Sequence, residues 1–416
     1  MSQAVVTVRD EGTVSPISPP AVPAVKGHVC MIAYTNYAFD ARVRREAETL
    51  TSHGYDVVCL TPRNRGNQER FRLGGVDIRE LGVPKYRGKN PLAYLASYLR
   101  FVLSSAAVCA RLQLTRRLDV VHVHNLPDFL VFAALIPRVA GSKVILDVHD
   151  SVPETFATKF HGSPTMLKAL CLEERLSALI AHRVICVNQP QRETLVARGI
   201  PRNKTFISMN VPDPQIFRSP AVRRTRPGSD GHFNLVYHGT MAARLGVDLI
   251  IRAVARLHGR IPGLRLHLWG QGDDVAEFQR LAGELDAGEY VLFAPQGVPI
   301  EELPGRLAEM DLGVVGNRSS AAGNLMLPVK LMEYVALGVP VVAPRLRTIR
   351  HYFADDMVTY YDAENIDGMA EAIYTAYTRP ELRSRQIEQA GAFLREYGWE
   401  RQGAELIDFY QRLMEN

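Results

Sequence analysis

From Val29 onward, short β-branched runs alternate with amphipathic helical stretches, and the alternation occurs twice along the chain. The first series runs through "VCMIAY", a helical stretch around "ARVRREAETLTSHG", then "YDVVCLTP", "VDIREL", "DVVHVH", "KVILDVH" and "RVICVN". Strands separated by helices cross over rather than fold back, and crossovers build a parallel sheet with helices on both faces. Around "NVPDPQIFRSPAVRRTRPGSDGH" the pattern gives way to Pro, Arg, Gly and Ser, the composition of a linker. A second series follows with "FNLVYHG", "GVDLIIRAVARLHGRI", "LRLHLWG", "DDVAEFQRLAGEL", "YVLFAP", "LGVVG" and "VPVVAP". The expectation is an α/β chain of two Rossmann-like, doubly wound parallel-sheet domains, over residues 27–212 and 232–397, joined by a linker over 213–231. A disordered tail is expected over 1–26, and a C-terminal helix over 398–416 that packs back on the first domain. With two such sheets in one chain of 416 residues, the cleft between them is the natural ligand site.

Composition narrows the partners. The chain is 47% hydrophobic and 22% charged, as soluble globular proteins are, and its net charge of +5 comes from scattered arginines. That pattern argues against nucleic acid and leaves an anionic small molecule or an acidic membrane surface. Five cysteines in apolar segments, without C-x-x-C spacing, read as reduced core residues of a cytoplasmic protein. The first 26 residues lack the apolar core of a secretory signal. The most lipid-like run, "PLAYLASYLRFVLSSAAVCARLQLTRR", is interrupted by Arg100 and is expected to fall short of a spanning helix. Its arginines suit peripheral docking on the anionic inner face of the plasma membrane.

Four polar constellations follow expected strands. In "YTNYAFDARVRRE", Asn36, Asp40 and Arg42 stand at a helix start, which suits an anion or, for Asp40, a simple N-cap. In "LDVHDSVPE", Asp147, His149, Asp150 and Glu154 gather where a polyhydroxylated ligand could bind. His122 and His124 raise the idea of a metal, but they belong to another strand and no ligand spacing supports it. In "YHGTMAARLGVD", Gly239 and Arg244 offer backbone and charge to a phosphate, and "WGQGDD" adds Gly270 as a weaker glycine turn. The fourth, "NLMLPVKLMEYVALGVP", is a helix with Pro328 at its start and Gly338 past its end. It is apolar nearly all round and therefore buried, yet it carries Lys330 and Glu333. Pairing the two alone would have to overcome desolvation of several kcal/mol per ion, roughly. Ligand groups are the better partners: phosphate for Lys330, vicinal hydroxyls for Glu333.

Taken in order, "FDARVRREAETL", "LDVHDSVPETF", "MNVPDPQIF", "YHGTMAARLGVD" and "LPVKLMEYVALGVPVVA" resemble the retaining glycosyltransferases of family 4, from about Val29 to the C-terminus. The likeness is nearest to bacterial members that build exopolysaccharide, capsule or O-antigen. It implies the GT-B fold, a nucleotide-diphosphate sugar donor on the C-terminal domain, and a glycan or lipid-linked acceptor on the N-terminal domain. No Asp-x-Asp metal pair stands at a strand end, so Arg244, Lys330 and the helix starting at Pro328 are expected in place of a divalent ion, and no cofactor is expected. Glu333 matches the second acid of the family's Glu-x7-Glu motif, which holds ribose hydroxyls, and His149 matches the histidine that reaches the donor sugar. Arg244 lies one position before the usual lysine of the glycine loop, whose place Leu245 takes. His149, Arg244 and Lys330 are thus the catalytic candidates. Gly239, Thr240, Gly270, Val298, Asn324, Leu325, Met326, Leu327 and Glu333 join the two cations as donor-binding candidates, and Asn36, Asp40, Arg42, Asp128, Asp150 and Glu154 as acceptor or cleft candidates.

Two departures stand out. Leu325 occupies the place of the first acid of Glu-x7-Glu, so sugar contacts there fall to the backbone amides of residues 324–327. Thr240 replaces the usual arginine after the loop glycine. Departing diphosphate gathers negative charge, which pre-placed cations and helix amides stabilise. Two other readings share the fold: a sugar-nucleotide epimerase using His149, Asp150 and Glu154 as acid and base, and a non-catalytic partner of a transferase.

Overall fold

The computed structural model describes residues 25–64, 69–86, 90–160, 163–218 and 231–415. Apart from Val25 and Lys26, the tail expected over 1–26 lies outside them, as do residues 219–230 of the expected linker.

Among the described residues, fourteen strands form two sheets. The first sheet contains β1 (Gly27–Ala33), β2 (Tyr55–Arg63), β3 (Arg70–Leu73), β4 (Val76–Pro84), β5 (Val120–His124), β6 (Lys143–Val148), β7 (Arg183–Cys186) and β8 (Thr205–Ile207), in the order β3-β4-β2-β1-β5-β6-β7-β8. The second contains β9 (Phe233–His238), β10 (Leu264–Trp269), β11 (Val291–Ala294), β12 (Leu312–Val314), β13 (Val341–Pro344) and β14 (Thr359–Tyr361), in the order β11-β10-β9-β12-β13-β14. The second order is that of a dinucleotide-binding sheet, with its reversal point between β9 and β12. One strand departs from the expected all-parallel sheet: β3 pairs antiparallel with β4. The Gly74–Gly75 turn, with φ of 57° and 82°, makes that tight hairpin, because both central positions of such a turn need positive φ.

Burial along β5 and β6 explains why polar residues lie inside the first domain. Val121, Val123, Val144 and Leu146 pack on one face of the sheet. Side chains alternate, so His122, His124 and Asp147 project from the other, and register sets His124 beside Asp147. Two helices cover that face: Ala41–Ser52, carrying Arg42 and Glu46, and Trp399–Glu415, carrying Tyr410. The latter belongs to the chain's end yet packs on the first domain. Its Trp399 indole donates to Thr49 at 3.2 Å, Phe409 stacks on Phe206, and the Tyr410 hydroxyl lies 2.7 Å from His122 Nδ1.

The helix Pro91–Arg116 is long and apolar enough to cross a membrane by length and composition, contrary to the expectation from Arg100. Phe101, Ser105, Cys109 and Leu112 form a buried stripe that fixes it to the first domain. Leu92, Leu95, Leu99, Leu103 and Leu114 face outward, the last 88% exposed.

The Tyr410 hydroxyl is the partner that satisfies His122 Nδ1 in a fully buried setting. Replacing Tyr410 by Phe keeps the ring and strands that nitrogen, so the variant should fold and lose about 1–3 kcal/mol of stability. A thermal melt unchanged from wild type would refute this.

Candidate active site

The two sheets face each other across a cleft of about 760 Å³. Its walls are the loops after β1, β6 and β7 on one side and, on the other, the glycine loop after β9 and the segment Ala322–Glu333.

On the first wall, the charges are already paired. Asp147, fully buried under the cleft floor, accepts from Arg42 Nη2 at 2.8 Å and Nε at 3.1 Å, from His149 Nε2 at 2.9 Å and from His124 Nδ1 at 3.1 Å. Burial opposes its charge, but Arg42 and His149 hold it well below the usual carboxylate range. Burial likewise disfavours charge on His149, and Asp147 outweighs it, raising the imidazole's pKa. For His122 and His124 burial prevails, and both pKa values fall. Glu46, His122, His124 and Asp147 bring one donor atom each within 4.8 Å of one another, a metal-like grouping. Arg42 lies within 3.3 Å of Glu46 and 2.8 Å of Asp147, so a guanidinium already stands against both carboxylates. A second cation there would meet it at close range. The cluster is therefore a charge-balanced network that carries His149 at its cleft-facing end.

Asn36, Asp40 and Arg42 line the cleft as expected, but their side chains are already engaged by the protein. Arg42, 2% exposed, is bound to Asp147, Glu46 and the carbonyl of Ser208. Asp40 caps the helix Ala41–Ser52 through the Val43 amide at 3.2 Å, and Asn36 caps the short turn before it. Asp128 is fully buried and does not line the cleft. Its Oδ1 accepts from Asn125, whose own Oδ1 receives the His149 amide at 2.8 Å. Glu154 lines the cleft but is paired with Arg198 and hydrogen-bonded to Ser151, which removes it as a free acid or base for isomerisation. Asp150 is exposed on the wall, and its carboxylate has no partner among the described residues. Adjacent sequence could not show these ties, since Arg42 and Asp147 are separated by 105 positions.

The second wall differs in kind. The helix Val329–Ala336 starts at Pro328, which offers no side-chain cap, and ends in a Schellman motif at Gly338, with Val339 N bonded to Tyr334 O at 2.9 Å. Its first-turn amides open toward the cavity, with Lys330 beside them. Lys330 Nζ lies 4.5 Å above the Tyr237 ring and forms no ion pair among the described residues. Burial pushes its pKa down to about 8. Arg244, in the glycine loop, is exposed into the cleft and equally unpaired among the described residues. Gly239, Thr240, Leu325, Met326, Leu327 and Glu333 also line the cavity. Glu333 is hydrogen-bonded to His238, which sequence reasoning passed over although it adjoins the loop glycine.

Gly270, Val298 and Asn324 do not line this cavity. Gly270 is where β10 passes under the glycine loop: with φ of 151°, a Cβ there would lie 1.8 Å from the Gly239 carbonyl oxygen, so its role is backbone clearance. Val298 packs against the apolar core. Asn324 turns away to accept from the Arg347 amide at 3.0 Å. The amides of Asn324, Leu325 and Met326 bond within their own turn, which leaves that of Leu327 without a partner among the described residues. Asn188, also missed, lines the cleft and donates to the Leu325 carbonyl at 2.8 Å, tying the first domain to the second. Its only signal was a polar residue at a strand end.

Comparison with known proteins agrees with this architecture. Residues 40–209 match the model of the glycosyl transferase 4-like domain, and residues 232–379 that of glycosyl transferases group 1. The GDP-mannose-dependent alpha-(1-6)-phosphatidylinositol monomannoside mannosyltransferase of Mycolicibacterium smegmatis is 31% identical over 202 residues, covering 47% of this chain and 52% of that protein. The lipopolysaccharide core biosynthesis glycosyltransferase LpsE of Rhizobium meliloti is 33% identical over 167 residues, 38% of this chain and 45% of that protein. The match thus spans about half the length of these curated relatives. Among solved structures, sucrose-phosphate synthase of Thermosynechococcus elongatus superposes with a TM-score of 0.77 at 16% identity, covering 94% of this chain and all of that one. Anabaena HepE in complex with UDP-glucose gives 0.71 at 14% identity, covering 93% and 100%. With both family models in tandem and the two-sheet architecture between them, the chain belongs to the family 4-type glycosyltransferases of the GT-B fold.

Proposed function

We propose that the protein transfers a sugar, with retention of anomeric configuration, from a nucleotide-diphosphate sugar to a glycan or lipid-linked acceptor in the assembly of exopolysaccharide, capsule or O-antigen. The observation that carries this reading is the asymmetry of the cleft. Buried or semi-buried charges on the first wall are paired, whereas Arg244 and Lys330 on the second stand unpaired beside uncapped helix amides. Unpaired cations at a helix N-terminus suit a diphosphate. As the glycosidic bond breaks, the leaving diphosphate gains charge, and these fixed groups stabilise it without a metal ion. His149 contributes a hydrogen-bonding edge on the opposite wall, held by Asp147 below. The same-face mechanism, in which the leaving phosphate helps deprotonate the acceptor, requires no carboxylate nucleophile. The relatives' names support the class of acceptor: one acts on a phosphatidylinositol mannoside and one in lipopolysaccharide core synthesis.

We place the protein in the cytoplasm, docked peripherally on the inner face of the plasma membrane. The outward leucines of Pro91–Arg116 share their helix with exposed Arg100 and Arg111, and the helix Leu135–Val139 that packs against it exposes Ile136 and Val139. Apolar side chains enter the interface while arginines meet anionic headgroups.

Screening UDP-, GDP- and ADP-sugars with candidate acceptors tests the central reading: nucleotide release that depends on acceptor supports it, and sugar isomerisation without acceptor overturns it. Turnover should survive EDTA, and loss restored by magnesium or manganese would refute metal independence. Lys330→Ala should lower kcat by about 10²–10³, as loss of one transition-state donor does. Glu333→Gln should mainly raise KM for the donor, since ribose is bound alike in ground and transition states. Because Lys330 loses its proton near pH 8, diphosphate affinity should fall as pH rises through that range, and Lys330→Arg should flatten the fall. A wild-type affinity flat from pH 7 to pH 9 would contradict the assignment. Vesicles with anionic lipid should sediment the protein at low salt, and Leu99→Glu with Leu103→Glu should abolish this.

A further inference from the structure

One contact joins the glycine loop to the helix Val329–Ala336. His238, the last residue of β9, is 6% exposed and lines the cleft. Its Nδ1 lies 3.0 Å from the Tyr334 hydroxyl and its Nε2 2.6 Å from Glu333 Oε2. Tyr334 is fully buried, and its hydroxyl also lies 3.2 Å from the Val236 carbonyl. A carboxylate oxygen accepts, so the 2.6 Å contact is an Nε2–H donating to Glu333, and the ring bridges a buried phenol and a cleft carboxylate. One carboxylate oxygen is fixed by protein, while Oε1 has no partner among the described residues.

We propose that His238 is a positioning residue of the donor site, clamping one oxygen of Glu333 so that the carboxylate is aimed at vicinal hydroxyls and the site selects ribonucleoside over dideoxyribonucleoside diphosphates. This rests on the reading of Glu333 as the ribose-binding acid. The selectivity follows from rigidity. A clamped carboxylate that meets no hydroxyls stays partly desolvated and unpaired, whereas an untethered one rotates into water. His238 touches no reacting atom in this account and acts only through Glu333.

Calorimetry with GDP, UDP and ADP, each beside its 2′,3′-dideoxy counterpart, tests it on wild type, E333Q, H238A and H238Q. Wild type should prefer the tightest-binding ribonucleotide over its dideoxy form by roughly 10-fold to 100-fold. E333Q and H238A should both shrink that preference to within about 3-fold, with weaker ribonucleotide binding and no loss of dideoxy affinity, and H238Q, which keeps a donor, should restore part of it. A general loss of structure would lower ribo and dideoxy affinities together, and that outcome in H238A and H238Q overturns the positioning role. If E333Q loses the preference but both His238 variants keep it, the inference fails and the ribose reading stands. If E333Q keeps it, or none of the three diphosphates binds to wild type, the ribose reading fails and takes the inference with it.

Discussion

The ion pair between Arg42 and Asp147 holds the first domain's half of the cleft in place. It joins the helix Ala41–Ser52 to β6, and through Arg42 Nη1 it reaches the Ser208 carbonyl just beyond β8. Removing two such ions from water costs several kcal/mol each, roughly, and the pair is tolerable only because each charge meets several partners. Loss of either partner would strand the other in the core. Asp147's pKa is lowered in the folded state, so its stabilising share is complete above the usual carboxylate range and disappears as acid reaches the depressed folded value. The same carboxylate anchors His149, so this fully buried ion pair and the cleft-facing imidazole share one oxygen.

That economy explains why charge alone could not mark the functional residues. Arg42, Glu154, Arg244 and Lys330 all line the cavity, yet the first two form ion pairs and the last two form none among the described residues, Lys330 meeting only the Tyr237 hydroxyl and ring. What separates them is satisfaction. A half-buried cation without a carboxylate is a standing cost, shown in Lys330 by burial lowering its pKa to about 8, and a dianionic ligand would relieve it. The Tyr237 ring lies below Lys330, the Glu333 carboxylate raises its pKa without offsetting burial, and Arg244 in the neighbouring loop lowers it further.

Local signals in the sequence were enough for the architecture. Pro328 and Gly338 bracket the helix at its observed ends, because fixed φ at the start and positive φ, here 68°, after the end are backbone requirements written in single residues. The same logic should have exposed β3, since Gly74–Gly75 between two apolar runs is a hairpin signal. The site was legible only in part, for a different reason. His149, Lys330 and Glu333 follow strands or sit in a helix's first turns, and the cavity includes all of them. Whether Arg42 faces ligand or Asp147, and whether Asp128 reaches the cleft, depends on partners distant in sequence or on burial that no spacing encodes. His238 and Tyr410 were invisible for that reason, as each works through a residue almost a hundred positions away or more.

The contacts between the domains differ in how readily they can yield, and this sets where the cleft can open. Asn188 bonds the Leu325 carbonyl, and the Gln189 amide meets the Tyr352 hydroxyl at 2.8 Å. Asn188 is fully buried, so separating it from that carbonyl would leave amide and backbone atoms unsatisfied. The Arg347–Glu193 pair, 49% and 42% exposed, exchanges protein for water at little cost. The sheltered contact is thus the costly one to part and the exposed pair the cheap one. Leu325 belongs both to that sheltered contact, through its carbonyl, and to the cleft wall, and its side chain is buried. An apolar side chain suits that place better than an acid would, because a carboxylate buried there would need a counter-charge of its own.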